Sequence, residues 1–454
     1  MIFKPGTQFK ETEVGTIPVD WEIKKIKQVA KINELQINQS FIYKEIDYID
    51  TSSVKEGKVI GIKRISTSQA PSRAKRVIRD NDILISTVRP NLKHYAFILK
   101  SSGQLVASTG FIVISAVQID PYFLYYYLTS KYYTDFLTAI ADTHASAYPA
   151  FTPEVVERSV IPIPPVIEQK RIGIVLSTLD NKIKLNFKIN NTIKSIGYLF
   201  FKYWFEEFKF PKINGNFHKS SGDSFVIGDN SYNDVPKGWR VGSIGDLVQV
   251  QAGFAFKSKD FLEHGTIGVI KIKNISEDVV NIKDTQYVLK ETVSTLDERF
   301  SIDSGAILIA MTGANVGKIG IVPKTNRELW LNQRVGMFKE RVENGLYFIF
   351  FLLSSRRYQR ILKNIAKGTA QPNISSSDIE SIKIFLPPKA IIKQFGCFFD
   401  PFFQYIINNL DENEKFFELR ERLLPKLMSG KIRLRNNNSE NPGIEESLKK
   451  GLVI

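Results

Sequence analysis

Ile163-Pro164-Pro165 runs into Glu168-Gln169-Lys170-Arg171-Ile172, and from there Ile172, Leu176, Leu179, Ile183, Asn186, Asn190, Ile193, Gly197, Phe200 and Trp204 recur at alternating steps of four and three. Leu386-Pro387-Pro388 heads a second such run, in which Phe395, Phe399, Phe402, Ile406, Asn409, Asn413, Phe416, Arg420, Leu423 and Leu427 keep the same spacing. A mean step of about 3.5 residues places these positions on one helical stripe, the seam of a coiled coil. Each seam is interrupted twice by asparagine, and Asn186 and Asn190 precede Asn409 and Asn413 by one common interval of 223 residues. A buried seam asparagine costs stability and is satisfied only by a matched polar partner, so it fixes register and partner. The spacing therefore predicts two long antiparallel helices that pair with each other. The alternative is two unrelated amphipathic helices whose asparagines face water. The proline pair before each run excludes helix ahead of it and tolerates helix after it. Pro425 predicts a kink or an early end to the second helix.

The sequence in front of each helix is duplicated as well. Ile17-Pro18-Val19-Asp20-Trp21 returns as Val235-Pro236-Lys237-Gly238-Trp239, each followed by a short alternating, strand-like run. Asp82-Ile83-Leu84-Ile85-Ser86 matches Ala306-Ile307-Leu308-Ile309-Ala310, and the aromatic run Tyr122 to Tyr133 matches Leu346 to Tyr358. A single repeat of this length in a chain of 454 residues means two copies of one plan, not a solenoid. The fold class is α+β: two mixed α/β lobes joined by two long antiparallel coiled-coil helices, a pseudo-two-fold internal repeat. About 40 helical residues span roughly 60 Å, so two such rods would hold the lobes apart.

Composition narrows the partner. Lys and Arg number 62 against 47 Asp and Glu, a formal net charge of +15 with pI near 9.5. A basic folded protein gains affinity for nucleic acid by releasing condensed counterions, although a lysine-rich proteome gives the same composition without special function. The lone Cys397 rules out an internal disulfide; among Phe395, Phe398 and Phe399 it reads as an ordinary buried thiol in a reducing compartment. The first ten residues lack an apolar signal core and no stretch reaches membrane-span length, which reads as cytoplasmic.

Catalytic signatures are weak. Asp400-Pro401-Phe402-Phe403 lacks the second proline of a methyltransferase amine-binding loop and lies in the helical register. Gly313-Ala314-Asn315-Val316-Gly317-Lys318 has too few residues between its glycines for a phosphate loop, and Ile319 replaces the hydroxyl that would hold magnesium. His94, His144, His218 and His264 have no metal-ligand spacing, and there is no nucleophile elbow.

Taken in order, the Trp-bearing openings, Gln251-Ala252-Gly253-Phe254-Ala255-Phe256-Lys257, Asn332-Gln333-Arg334, the Pro-Pro-headed helices and Leu423-Leu424-Pro425-Lys426-Leu427-Met428-Ser429-Gly430-Lys431-Ile432 resemble the specificity subunits of type I restriction-modification systems. The resemblance covers nearly the whole chain. The first lobe departs from it in lacking the Gln-Ala-Gly-Phe loop and in carrying Ser108-Thr109-Gly110 where the second has Asn332-Gln333-Arg334. It implies a first target recognition domain over 1–165, a central helix over 166–208, a linker over 209–232, a second recognition domain over 233–388, a distal helix over 389–435 and a flexible tail over 436–454. Each domain would read one half of a bipartite double-stranded DNA target. The helices would set the gap and dock two modification (methyltransferase) subunits. S-adenosylmethionine, ATP and magnesium would belong to those subunits and to restriction (motor and nuclease) subunits, leaving this chain without catalysis. An orphan or donor recognition subunit, or the recognition half of a related restriction enzyme, is the nearest alternative. A duplicated enzyme with degenerate motifs and a two-lobed protein or glycan scaffold are the readings from other classes.

The residues expected at DNA follow from charge and chemistry. In the first lobe they are Lys63, Arg64, Arg73, Lys75 and Arg76 from a basic stretch, Arg89 and Lys93 after a strand, Ser108 and Thr109, and His144 and Tyr148 from a small-residue loop. In the second they are Lys257, Lys259, Lys273, Thr312, Asn315, Lys318, Gln333 and Arg334, with Lys367 and Gln371 in the loop that matches Thr143 to Tyr148. Arginine suits guanine edges, glutamine and asparagine suit adenine, and lysine mostly contacts phosphate. A solvated basic face is the competing reading for the first stretch, and a structural role for Gln333 and Arg334. The aromatic runs, at helical spacing, are expected in the core.

Overall fold

The computed structural model describes residues 7–38, 41–143, 149–211, 225–226, 235–236, 238–276, 278–366 and 372–434. The linker expected over 209–232 falls mostly, and the tail over 436–454 wholly, outside the described residues; so do His144, Tyr148, Lys367 and Gln371. Two compact units divide the chain: Met1–Asn181 with Phe416–Ile454, and Lys182–Lys415.

The first unit is layered. A four-stranded antiparallel sheet runs in the order Tyr95–Ile98, Asp82–Ser86, Phe111–Ala116, Ala30–Ile32. Its central strand is buried along its whole length, as a strand covered on both faces must be. On one face Ile83, Ile85, Ile112 and Ile114 pack against the helices Pro121–Leu128 and Lys131–Asp142. On the other, Leu84, Ala96 and Val113 meet Ile49, Leu105 and Ala107 of a second sheet. That sheet orders Lys63–Ser66, Glu45–Ile49, Leu105–Ser108, Ala74–Val77, with the middle pair parallel. Pro121 opens its helix as an N1 proline, and Asp120 caps it by accepting the Phe123 N–H at 2.9 Å. The aromatic run is core, as its helical spacing requires: Phe123 to Leu128 are all buried.

The second unit has the same layers, with a second sheet of three strands in place of four. Ile319–Ile321, Ile307–Ala310, Val335–Glu340 and Val248–Ala252 repeat the first sheet, extended at one edge by Asp278–Val280 and Ile275–Ser276. Ile267–Ile270 pairs parallel with Glu328–Leu331, like the middle pair of the first unit's second sheet. Gly345–Ser354 and Arg356–Ile365 cover the face that carries Ile307, Ile309 and Ile319. A strand pair closes each unit where a Trp-led segment meets the strand before a proline pair: Glu22–Lys25 with Val160–Ile163, and Arg240–Ser243 with Lys383–Leu386.

The proline pairs lead into helices Val166–Phe201 and Lys389–Met428. Within the second unit Asn186 Nδ2 donates to Asn413 Oδ1 at 2.9 Å, and Asn409 Nδ2 donates to Asn190 Oδ1 at 2.8 Å. Leu176, Ile183, Phe399 and Ile406 are buried with all four asparagines; Leu179 is half-buried. Phe402 and Phe200 depart from the expected seam: they are 39% and 37% exposed, and Phe403 and Phe201 are buried instead. Here the helices also pack on Gly345–Ser354, where Phe403 meets Tyr347 and Phe350 and Phe201 meets Phe348, which turns the apolar stripe by one position. Two further expectations are corrected. Cys397 is exposed, because it lies on the solvent side of this helix. Pro425 does not end its helix, since the carbonyl freed four residues back belongs to exposed Glu421.

Candidate nucleic-acid interface

In the first unit the end of Asp82–Ser86 lies opposite the start of Phe111–Ala116, Ser86 against Phe111, and backbone hydrogen bonds tie the neighbouring loops into a rim. Thr87 N–H donates to Gly110 O at 2.9 Å, Arg89 N–H to Pro149 O at 2.8 Å, and Phe151 N–H to Thr87 O at 3.1 Å. The second unit builds the same rim. Met311 N–H donates to Arg334 O at 3.0 Å, Gly313 N–H to Pro372 O at 2.8 Å, and Ile374 N–H to Met311 O at 2.9 Å. Bridges Val88–Ala150 and Thr312–Asn373 complete the two copies. Three separate segments therefore converge in each unit, among them the residues that follow the loops expected to correspond, 144–148 and 367–371.

The tie on the last strand differs in source. Thr109 N–H donates to Arg73 O at 2.8 Å, whereas Gln333 N–H donates to Phe254 O at 2.8 Å. The Phe254 contact explains the glycine of Gln251-Ala252-Gly253-Phe254. A Cβ on Gly253 would stand 2.3 Å from the Leu331 and Asn332 carbonyl oxygens, so only glycine admits the loop there. Asn315 is not a free reader of bases: its Nδ2 donates to Ile272 O at 3.2 Å, linking the Lys271 to Asn274 turn to the rim.

Side chains at and beside the rims fall into two groups. Arg73, Lys75, Lys93 and Thr109 in the first unit, and Lys257, Lys259, Lys273, Lys318, Gln333 and Arg334 in the second, are exposed, and their side chains have no hydrogen-bond or ion-pair partner among the described residues. Arg89 is exposed too, at φ 48°, where it caps the short turn Pro90–Leu92. The second group is engaged. The Arg64 guanidinium grips Asp47 through two hydrogen bonds of 2.9 and 3.1 Å and holds that carboxyl below its ordinary range. Lys63 pairs with Asp50 at 2.9 Å, and hydrogen bonds from Ser52 and then Lys63 and Ser53 depress that carboxyl strongly. Both cations remain more than half exposed, so the pairs contribute little stability and leave both heads accessible. Ser108 is buried, its hydroxyl accepting the Gly110 N–H at 3.2 Å. Thr312 is buried with its hydroxyl unpartnered. Burial pushes the Arg76 guanidinium below its ordinary range, and its Nε has no partner. The sequence pointed to charged and polar residues along these rims but not to the ties at Thr87, Pro149, Met311 and Pro372, whose only signal is the constancy of the repeat interval.

No group of three or more His, Cys, Asp or Glu among the described residues is placed to hold a metal ion, and no described helix is long and apolar enough to cross a membrane. A duplicated α/β unit that presents accessible cations on a rigid backbone rim is suited to hold a polyanion at two places. Residues 18–195 and 236–415 each match the type I restriction modification DNA specificity domain, and the chain belongs to that family. The type I restriction enzyme MjaIX specificity subunit of Methanocaldococcus jannaschii is 26% identical over 448 residues, covering 95% of this chain and 98% of the relative. The HindI specificity subunit of Haemophilus influenzae is 26% identical over 440 residues, covering 86% and 95%. The solved S subunit of a type I restriction-modification system from M. genitalium covers 90% of this chain and 96% of its own at TM-score 0.53 and 15% identity, a likeness of fold. The chain is a specificity subunit with two recognition domains, and such subunits are non-catalytic.

Proposed function

We propose that the two rims read the two halves of a bipartite double-stranded DNA target. The two long helices, as an antiparallel coiled coil relating the lobes by a pseudo-two-fold, set the gap between half-sites and dock two modification subunits. S-adenosylmethionine, ATP and magnesium are used by those subunits and by a restriction subunit, not by this chain. The observation that carries the reading is the equivalent set of backbone ties, which presents Thr109 with Arg73 in one unit and Gln333 with Arg334 in the other. Two rims of one construction with different side chains are what two half-sites of different sequence require.

Binding should be weak for the chain alone and strong with its modification subunit, and should fall steeply with salt. Each neutralised phosphate contributes about 0.9 to the negative log–log slope. Fluorescence anisotropy across a salt series reads it, and a slope near zero removes the electrostatic basis of the proposal. Gln333→Ala should cost about 1–3 kcal/mol and relax preference at one base pair of a single half-site. Lys257→Ala should weaken all sequences alike. A Gln333→Ala complex with unchanged preference at every position assigns that residue a structural role.

A further inference from the structure

The asparagine–asparagine contacts do not choose a partner by themselves. Asn186 corresponds to Asn409 and Asn190 to Asn413 under the repeat, so two copies of either helix would still set asparagine against asparagine, although the native pairing adds a 2.7 Å hydrogen bond from Asn186 Nδ2 to Glu412, whose counterpart in the first half is Ile189. Against the expectation that they fix partner as well as register, these contacts fix register.

Partner choice lies further along, where the two units differ in chemistry. In the first, Arg420 Nη1 lies 2.7 Å from Asp180 Oδ1, and Tyr126 donates its hydroxyl proton to Asp180 Oδ2 at 2.7 Å. Arg433 donates to both oxygens of Glu168 at 2.8 Å and to those of Asp20 at 3.0 and 2.9 Å. The Arg433 and Glu168 side chains are 5% and 2% exposed. In the second unit Phe403 and Phe350 occupy the places of Asp180 and Tyr126, with rings 5.5 Å apart. Gly197 occupies that of Arg420, and a Cβ there would come within 2.3 Å of Phe351 and 2.4 Å of Phe399. Phe210 takes the place of Arg433 against Trp239, at 6.1 Å between rings.

We infer that residues 1–211 and 235–434, two halves of one duplicated plan, accept each other and reject a second copy of themselves. Pairing the first half with itself would set Gly197 and Phe210 against Asp180, Glu168 and Asp20, burying carboxylates without a cation. Pairing the second half with itself would drive Arg420 and Arg433 into the aromatic layers around Phe403 and Trp239. Both mispairings strand desolvated charge, and the native pairing strands none of these five groups. The specificity subunit is thereby held to two different recognition domains and, if these read DNA as proposed, to an asymmetric target. The pairing rule itself stands whether or not the rims bind DNA.

The test uses the full chain with a protease site inserted between Pro211 and Phe225 and cut after folding. Two cut preparations, one with a tagged first half, are mixed in mild denaturant, returned to buffer and recovered through the tag, with an isotope-labelled second half reporting exchange. Co-expression of tagged and untagged first halves with the second half makes the same reading where folded material does not exchange. The second half should be recovered in excess over the untagged first half, on the order of tenfold or more beyond a statistical mixture. Installing Tyr126→Phe, Asp180→Phe and Glu168→Ile in both first halves should raise their mutual recovery several-fold. A statistical mixture of wild-type halves, or no rise with the substituted ones, overturns the inference.

Discussion

Changing Arg433 to methionine should destabilise the first unit by about 3–5 kcal/mol, the usual cost of removing one partner from a buried ion pair. Glu168 is 2% exposed and has four partners: two nitrogens of Arg433, the Leu434 N–H at 3.2 Å and the Trp21 indole N–H at 3.2 Å. Without the guanidinium its negative charge stays desolvated, and Asp20 loses both of its hydrogen bonds from the same group. Arg433→Lys should lose less, because the charge remains, yet one ammonium cannot reproduce two forked contacts. Hydrogen exchange followed by mass spectrometry reads the effect locally. Protection should fall over Glu22–Lys25 and Val160–Ile163, the strand pair beside Glu168, and stay unchanged over Ile307–Ala310 in the second unit. A global loss would contradict the local role of the cluster, and a change under about 1 kcal/mol would contradict the cost expected of a stranded buried carboxylate.

The helices and the duplicated lobes were legible because their signals are local or periodic. Polar residues at Asn186, Asn190, Asn409 and Asn413 stand out within apolar seams, and the resulting partners are the matched amides the spacing predicts. The shift from Phe402 to Phe403 was not legible, since it depends on a third helix far away in sequence. The same holds at Lys63 and Arg64, which read as free cations. Antiparallel register sets Arg64 directly opposite Asp47 and brings Lys63 beside Asp50, a pairing that composition cannot show. At the rims, residue types pointed to Arg73, Thr109, Gln333 and Arg334. What positions them is backbone hydrogen bonding between segments such as Met311 and Ile374, which no side-chain pattern encodes.

If the two lobes hold independent halves of one address, exchanging one lobe should leave the other half unchanged. Residues 233–388 would be replaced by the equivalent lobe of a relative of different specificity, with the helices left intact. The rim of the second unit, from Gln251 through Lys273, Thr312 to Lys318 and Gln333-Arg334, then changes as a block. The first rim and the paired asparagines of the helices do not. If each rim reads its own half-site, the expected change is complete at one half and absent at the other, a discrimination that for a specific site is worth about 4–10 kcal/mol over non-specific DNA. If the helices set the spacing as proposed, it should also hold, because they are untouched. The deciding measurement is methylome sequencing of a host carrying either the native or the exchanged subunit with its modification partner. Independent lobes require one half-site replaced, with the other half-site and the gap retained; a target changed in both halves, or in neither, contradicts their independence.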